Sequence, residues 1–270
     1  MIDKYVPSAS TFAPDIDNLI LVVLAIVGFW FLLAEFVFFG LILKFKEEPG
    51  RRAQYVSGEK PEEKRWVSIP HYATLVFDVL IVVMAVKVWH TVKIEMPDEV
   101  KDRVSTVRII AQQWAWTFVH PGRDGKLDTE DDIATVDELH VQDGQTYVFE
   151  LTSRDVLHSF SVPVFRLKQD AIPGRVVKGW FKPTMTGQYD IQCTEICGIG
   201  HGIMPARILI ETPEQHAAWL QATPPTKTAP VDLIAAEPPL GDGQVGALEP
   251  STPGDALARG GLNANGETTP

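Results

Sequence analysis

The sequence predicts a membrane-anchored all-β protein, an N-terminal hairpin of two transmembrane helices followed by an exported β-sandwich or barrel. Three observations predict it. Two long apolar runs lie near the N-terminus, basic residues gather between them, and residues 104–211 break into short β-rich runs punctuated by Gly, Pro and Asp. With 270 residues and 45% hydrophobic composition, the chain is long enough for one substantial domain and is too apolar for wholesale disorder.

The first element is Leu19 to Leu43, "LILVVLAIVGFWFLLAEFVFFGLIL", in which Glu35 is the only charge. At about 1.5 Å per residue it spans a hydrocarbon core of roughly 30 Å. It exceeds the roughly 7 to 15 apolar residues of a signal peptide and no small-residue cleavage pattern follows, so a retained helix is expected. The second element is Tyr72 to Trp89, "YATLVFDVLIVVMAVKVW", with Asp78 inside and Lys87 near its end, where a lysine can snorkel. Between the two runs lie Lys44, Lys46, Arg51, Arg52, Lys60, Lys64 and Arg65. That excess predicts a cytoplasmic connection, with both termini and everything after the second helix outside.

The β-rich runs are "STVRIIAQQWAWTFVH", "ATVDELHV", "QTYVFELTS", "HSFSVPVF", "GRVVKGWFKP", "GQYDIQC" and "ARILIET". Short strands at this spacing predict a sandwich or barrel. "TPEQHAAWLQA" (212–222) reads as a closing helix with Thr212 as N-cap and Glu214 in its first turn. From residue 223 the chain is rich in Pro, Gly and Ala without periodicity, which predicts a disordered tail. The expected organisation is an exported N-terminal tail (1–17), a hairpin (18–90, with helices at about 18–44 and 70–90 and a cytoplasmic loop at 45–69), a β domain (91–222) and the tail (223–270). Net charge is −11. An acidic exterior attracts basic partners and repels nucleic acid, but on charge alone ordinary solubility is the preferred reading.

The stretch "CTEICGIGHGIM" (193–204) holds both cysteines of the chain. Its glycines allow tight turning, so that Cys193, Cys197, His201 and Met204 can converge on one point. Three chemistries compete there. Two exported cysteines can form a disulfide. Zinc takes Cys and His but not usually a thioether. Thiolate, imidazole and thioether together favour copper, and a Cys, His and axial Met set on a β-sandwich is the arrangement of blue-copper carriers. A second histidine is then expected from elsewhere in the sandwich, and His158 in "DVLHSFSVP" is best placed, at a strand junction.

"DVLHSFSVP", "LKQDAIPGR" and "CTEICGIGHGIMP" together resemble subunit II of the haem–copper cytochrome c oxidases. The likeness covers roughly residues 18–221, including the hairpin. It implies a cupredoxin-like Greek-key sandwich carrying a dinuclear copper-A centre with two copper ions. Cys193 and Cys197 would bridge the coppers, His158 and His201 would each supply a nitrogen, and Met204 and the backbone carbonyl of Glu195 would be weak axial ligands. The Glu195 side chain would face a magnesium shared with the catalytic subunit. The implied role is to accept single electrons from cytochrome c or another haem donor and pass them to haem in a catalytic subunit I. That subunit, assembled with a subunit III, reduces oxygen to water and translocates protons. The implied location is a bacterial inner membrane.

The same resemblance assigns further residues. Family members take electrons in through a tryptophan in a Gln-Trp-aromatic-Trp segment; "QQWAWTF" offers Trp114, although Ala115 replaces the aromatic residue. Trp116 is the second tryptophan, with strand packing as its plainer role. Asp155 would lie beside the copper and Asp170 at the subunit interface. Glu63, three residues before Trp66, matches a glutamate at the mouth of a proton path, against a solvated helix cap as the other reading, with Glu62 an equal bystander. Glu35 and Asp78 are intramembrane carboxyls, each a functional hypothesis by default or a hydrogen bond to a neighbouring subunit. "GRDGKLDTEDD" (122–132) fails the EF-hand spacing and reads as a solvated hairpin insertion, with a calcium site or a cytochrome-docking patch as the alternatives. No Cys-x-x-Cys-His occurs, so the donor is expected to be a separate haem protein. A copper-A subunit of a nitric-oxide reductase and a membrane-anchored copper chaperone are the alternatives.

Overall fold

A computed structural model describes residues 5–50, 52, 57–98 and 100–226. The expected disordered tail lies outside the described residues from 227 onward. Two helices are long and apolar enough to cross a membrane: α1 (Ala13–Lys44) and α2 (Pro61–Trp89), the latter running on through a wider π turn at His90–Ile94. Both start earlier than the apolar runs alone suggest. In each, a proline occupies one of the first two helical positions, where its fixed φ suits a helix start and its missing N–H is no loss. Glu62 and Glu63 add negative charge to the first turn of α2, where the helix dipole favours it. Pro70, expected at the start of this helix, is instead inside it.

The β domain comprises β1 (Ser105–Gln112), β2 (Ala115–His120), β3 (Ile133–Val136), β4 (Glu138–Gln142), β5 (Tyr147–Ser153), β6 (His158–Val162), β7 (Leu167–Ala171), β8 (Val177–Phe181), β9 (Gly187–Cys193) and β10 (Ala206–Glu211), followed by α3 (Pro213–Ala222). They form two five-stranded sheets, ordered β3-β2-β1-β5-β8 and β4-β10-β9-β6-β7. The chain crosses between the sheets repeatedly, so β1 lies parallel to β5 and β4 parallel to β10 among otherwise antiparallel pairs. This is the sandwich expected from the sequence.

Between the sheets the core is aromatic. Trp116, Phe118, Phe149, Phe160, Phe165 and Phe181 are fully buried. Phe160 takes edge contacts from Trp116 at 5.7 Å and Phe118 at 6.4 Å, the geometry that ring quadrupoles favour. Burying each such ring contributes about 1.5–3 kcal/mol.

The residues ahead of α1 pack on this core. Ala9 and Phe12 are buried, and backbone bonds run from Ala9 N to Val164 O (2.8 Å) and from Thr184 N to Ala9 O (3.0 Å). Arg166 clasps the start of α1, donating from Nε and Nη2 to the two carboxyl oxygens of Asp17 at 2.7 and 2.8 Å. This bidentate pair ties the hairpin to the sandwich. At the other end α3 begins with a capping box: Thr212 Oγ1 accepts from Gln215 N, and the Gln215 side chain accepts from Thr212 N.

Candidate metal centre

Three loops and two strand ends converge at one end of the sandwich. His158 opens β6, Cys193 closes β9, and Phe160 pairs with Cys193 across those two strands. That pairing fixes the histidine against the cysteine loop, although the two lie far apart in sequence. Residues 194–205 loop out and return as β10, with a short 3₁₀ turn at His201–Ile203. Gly198, at φ 120°, adopts a conformation that side-chain-bearing residues rarely take, and it turns the loop back on itself.

The donors cluster tightly. Cys193 Sγ and Cys197 Sγ are 3.8 Å apart, and both thiols are free. His158 Nδ1 is 3.8 Å from Cys193 Sγ, and His201 Nδ1 is 3.7 Å from Cys197 Sγ. Met204 Sδ lies 3.3 Å from Cys197 Sγ, and the Glu195 carbonyl oxygen 3.4 Å from Cys193 Sγ. Ligand atoms of His158, Cys193 and Cys197 all fall within 4.8 Å of one another, a group able to hold a metal. Every ligand expected from the sequence reaches this point. His158, Cys197 and Met204 are buried; Cys193, Glu195 and His201 are half-buried.

Each donor is held from behind. His158 Nε2 donates to Asp155 Oδ1 at 2.9 Å, which leaves Nδ1 free to face the thiols. An outer carboxylate of this kind fixes both the tautomer and the ring orientation of a metal-binding histidine. Asp155 Oδ2 in turn accepts from the Gln113 backbone N–H at 2.6 Å. Burial pushes the Asp155 carboxyl up, but hydrogen bonds from His158 and from the Gln113 and Val156 N–H groups outweigh it, and its pKa lies below the ordinary value. Gln113 Nε2 donates to Cys197 O at 2.7 Å, and Trp116 Nε1 to Met204 O at 3.3 Å, so the loop backbone is pinned at two ligands. The Cys197 thiol is pushed up to about 11 by burial and by the neighbouring Cys193.

Trp114 stands at the mouth, 39% exposed, with its ring over Gly198 and Gly200. A Cβ built on Gly200 would overlap that ring. The run "STVRIIAQQWAWTFVH" is not one strand but a hairpin, turning at Gln113–Trp114 where Gln112 pairs with Ala115. Trp116, the second residue of β2, is fully buried against His158 and Phe160 at 6.2 and 5.7 Å. Ile196, Ile199 and Ile203 project from the metal loop, Ile199 at 95% exposure.

The remaining assigned residues lie elsewhere. Asp170 accepts from Ser159 Oγ at 2.8 Å, one strand from His158. Glu63 caps its own helix connection: Oε2 accepts from Gly58 N at 2.8 Å and Ser57 Oγ at 3.3 Å. In the 122–132 insertion, Asp128 takes a bidentate pair from Arg108, whose Nη2 also reaches Glu150 at 3.1 Å. Sequence reasoning missed the tether from Asp155 to Gln113. It also missed a second cluster, in which Glu211 accepts from His140 Nδ1 and His216 Nδ1, both at 2.8 Å, beneath Trp219.

The family model for the periplasmic domain of cytochrome c oxidase subunit II matches residues 105–212. The alternative cytochrome c oxidase subunit 2 of Bradyrhizobium diazoefficiens is 32% identical over 231 residues, which cover 76% of this chain and 79% of that one. Cytochrome c oxidase subunit 2 of Cereibacter sphaeroides is 27% identical over 248 residues, covering 80% and 78%. The solved periplasmic domain of subunit II of cytochrome oxidase from Bradyrhizobium japonicum is 31% identical, with a TM-score of 0.39 over 44% of this chain and 92% of that one. With its two apolar helices, its two-sheet sandwich and a relative matched over most of both lengths, the chain belongs to the cytochrome c oxidase subunit II family.

Proposed function

We propose that this chain is the electron-input subunit of a respiratory oxidase, built around a dinuclear copper-A centre that takes single electrons from cytochrome c and delivers them to haem in a partner subunit. The observation that carries the reading is the donor set: two free thiols 3.8 Å apart, each with its own imidazole Nδ1 within 3.8 Å. A mononuclear blue-copper site uses one thiolate. Two thiolates, each flanked by a histidine and by one weaker donor (the Glu195 carbonyl beside Cys193, Met204 beside Cys197), make a symmetric cradle for two metals. Thioether and thiolate donors select copper over zinc. A copper pair so held supplies a one-electron redox centre whose charge is shared between two metals.

The residues around it serve transfer rather than bond-making. Asp155 and Gln113 hold His158 in one orientation, and Trp116 and Gln113 fix the loop carbonyls, so the ligands do not rearrange when charge changes. Trp114 is the exposed aromatic directly over the loop and the route by which an electron enters. The Glu195 side chain is proposed to face a magnesium at the boundary with the catalytic subunit, and Glu63 to open a proton path. The hairpin anchors the chain in a bacterial inner membrane with the copper domain on the periplasmic side, against subunits I and III.

Mixing copper-loaded chain with reduced cytochrome c, with no oxidase present, tests the reading by haem absorbance. Oxidation of one haem equivalent per chain, slowed at least tenfold in Trp114→Leu, is expected. No oxidation by the loaded chain overturns it.

A further inference from the structure

The two helices meet the sandwich at a charged groove. Asp15, Asn18 and Leu19 stand on one face of α1 at i, i+3 and i+4, and with Met84, Lys87 and Thr91 of α2 and its π turn they border a cavity of about 360 Å³. Thr91 also borders a second cavity, of about 320 Å³, with Glu95, Asp102, Trp180 and Lys182. The two cavities therefore adjoin at Thr91, and each is of a size that holds a small ligand.

Both helices place this groove at the surface of the hydrocarbon core. Leu19 opens the apolar run of α1, and Lys87 lies two residues before the end of the second run at Trp89. Trp89, 56% exposed, is the residue type enriched at that boundary. The lining changes along the same direction. Leu19 and Met84 form its apolar part; Asp15, Lys87 and Thr91 follow, and then Glu95, Asp102 and Lys182 beside the sandwich. A phospholipid carries the same gradient, from acyl chain to phosphate to head-group charge.

The charges of the groove are open to a ligand. Among the described residues, no side-chain hydrogen bond or ion pair reaches Asp15, Lys87 or Lys182. Lys93, in the same π turn, is by contrast already held by Lys168 O at 3.1 Å and Gln169 Oε1 at 3.0 Å. Trp180 Nε1 is buried with no hydrogen-bond partner among the described residues, a costly state that a ligand oxygen would relieve. Lys87 and Lys182 stand against three carboxylates, Asp15, Asp102 and Glu95, the last also paired with His90 at 3.1 Å. That mixture suits a ligand carrying both signs and disfavours an anion.

We propose that this groove binds one phospholipid with a primary-ammonium head group, phosphatidylethanolamine, whose phosphate is held by the lysines and whose ammonium is held by the carboxylates. A choline head group has the same charges but no N–H to donate to carboxylate or threonine oxygens. A phosphatidylglycerol brings a phosphate and nothing for the carboxylates. The site needs only the two spanning helices and no part of the copper reading.

The full chain, stripped of lipid in detergent, is titrated with phosphatidylethanolamine, phosphatidylcholine and phosphatidylglycerol of identical acyl chains, and bound lipid is counted by native mass spectrometry. One phosphatidylethanolamine per chain is expected, bound about tenfold more tightly than either other lipid, the effect of one hydrogen bond to a charged group. Lys87→Ala and Asp15→Asn should each remove that preference, while Lys87→Arg and the distant Lys126→Ala keep it. Equal, unsaturable uptake of all three lipids means a nonspecific lipid annulus and overturns the proposal; so does tighter binding of phosphatidylglycerol, or displacement of the lipid by excess inorganic phosphate. The complex isolated from its own membranes should carry one more phosphatidylethanolamine than the Lys87→Ala complex. Equal content in the two means that another subunit fills the groove, and overturns the proposal as well.

Discussion

Asp155 and His158 form a carboxylate–imidazole pair at 2.9 Å that turns Nδ1 of the histidine toward Cys193. The two lie three positions apart in sequence, and the pair sets the direction of an imidazole that β6 alone would leave free to rotate. Removing an outer partner of this kind lowers metal affinity 10- to 100-fold. Asp155→Ala is therefore expected to weaken copper binding by about that factor, measured by competition with a chelator of known affinity, while leaving the fold intact by far-ultraviolet circular dichroism.

Gly200 is required by its neighbour. A Cβ there would meet the rigid ring of Trp114 rather than the end of a flexible chain. Gly200→Ala is expected to displace Trp114, destabilise the domain by about 1–3 kcal/mol as overpacking does, and slow oxidation of reduced cytochrome c. Denaturant midpoints, tryptophan fluorescence and stopped-flow absorbance check the three effects separately.

Copper uptake should release protons. With the Cys197 thiol raised to about 11 by burial and by Cys193, that thiol is protonated at neutral pH in the metal-free protein and must lose its proton to bind. Apparent affinity is expected to rise with pH between 5 and 8, with at least one proton released per chain, by calorimetry in buffers of different ionisation enthalpy.

The histidine cluster predicts acid sensitivity away from the metal. His120 is buried and neutral: its Nδ1–H donates to Ile133 O at 3.2 Å and its Nε2 accepts from the His140 N–H at 3.0 Å. Burial holds its pKa down at about 3, from 6.5. The unfolded chain takes up a proton below 6.5 and the folded chain does not, so the stability gained from this group falls as pH drops from 6.5 toward 3. Glu211 acts lower on the scale. Burial raises it, but hydrogen bonds from His140 and His216 prevail and hold it at about 2, so its contribution is lost from about 4.5 downward. Urea midpoints of the metal-free protein should fall between pH 6.5 and 5, and His120→Gln should flatten that slope.

The proposed ligands Cys193, Cys197, His201 and Met204 stood out because they lie close together in one glycine-bearing stretch, and the resemblance to subunit II supplied their roles. His158 was legible by its strand-junction position, and β6–β9 pairing brings it to Cys193. The hairpin at Gln113–Trp114 was hidden, since no Gly, Pro, Asn or Asp marks the turn; a remote carboxylate, Asp155, receives the Gln113 N–H instead. The second helix was expected at about 70–90 from its apolar run, and its polar first turns, which begin at Pro61 and run through Pro70, carry no apolar signal. The cluster of His120, His140 and His216 was invisible because only the fold brings β2, β4 and α3 together over Glu211.

The most direct test of the central claim is the copper content and electron paramagnetic resonance spectrum of the copper-loaded chain. Two coppers per chain, with one unpaired electron split equally by both nuclei and that signal lost in Cys197→Ser, is the predicted result. One copper with a signal from a single nucleus would contradict it.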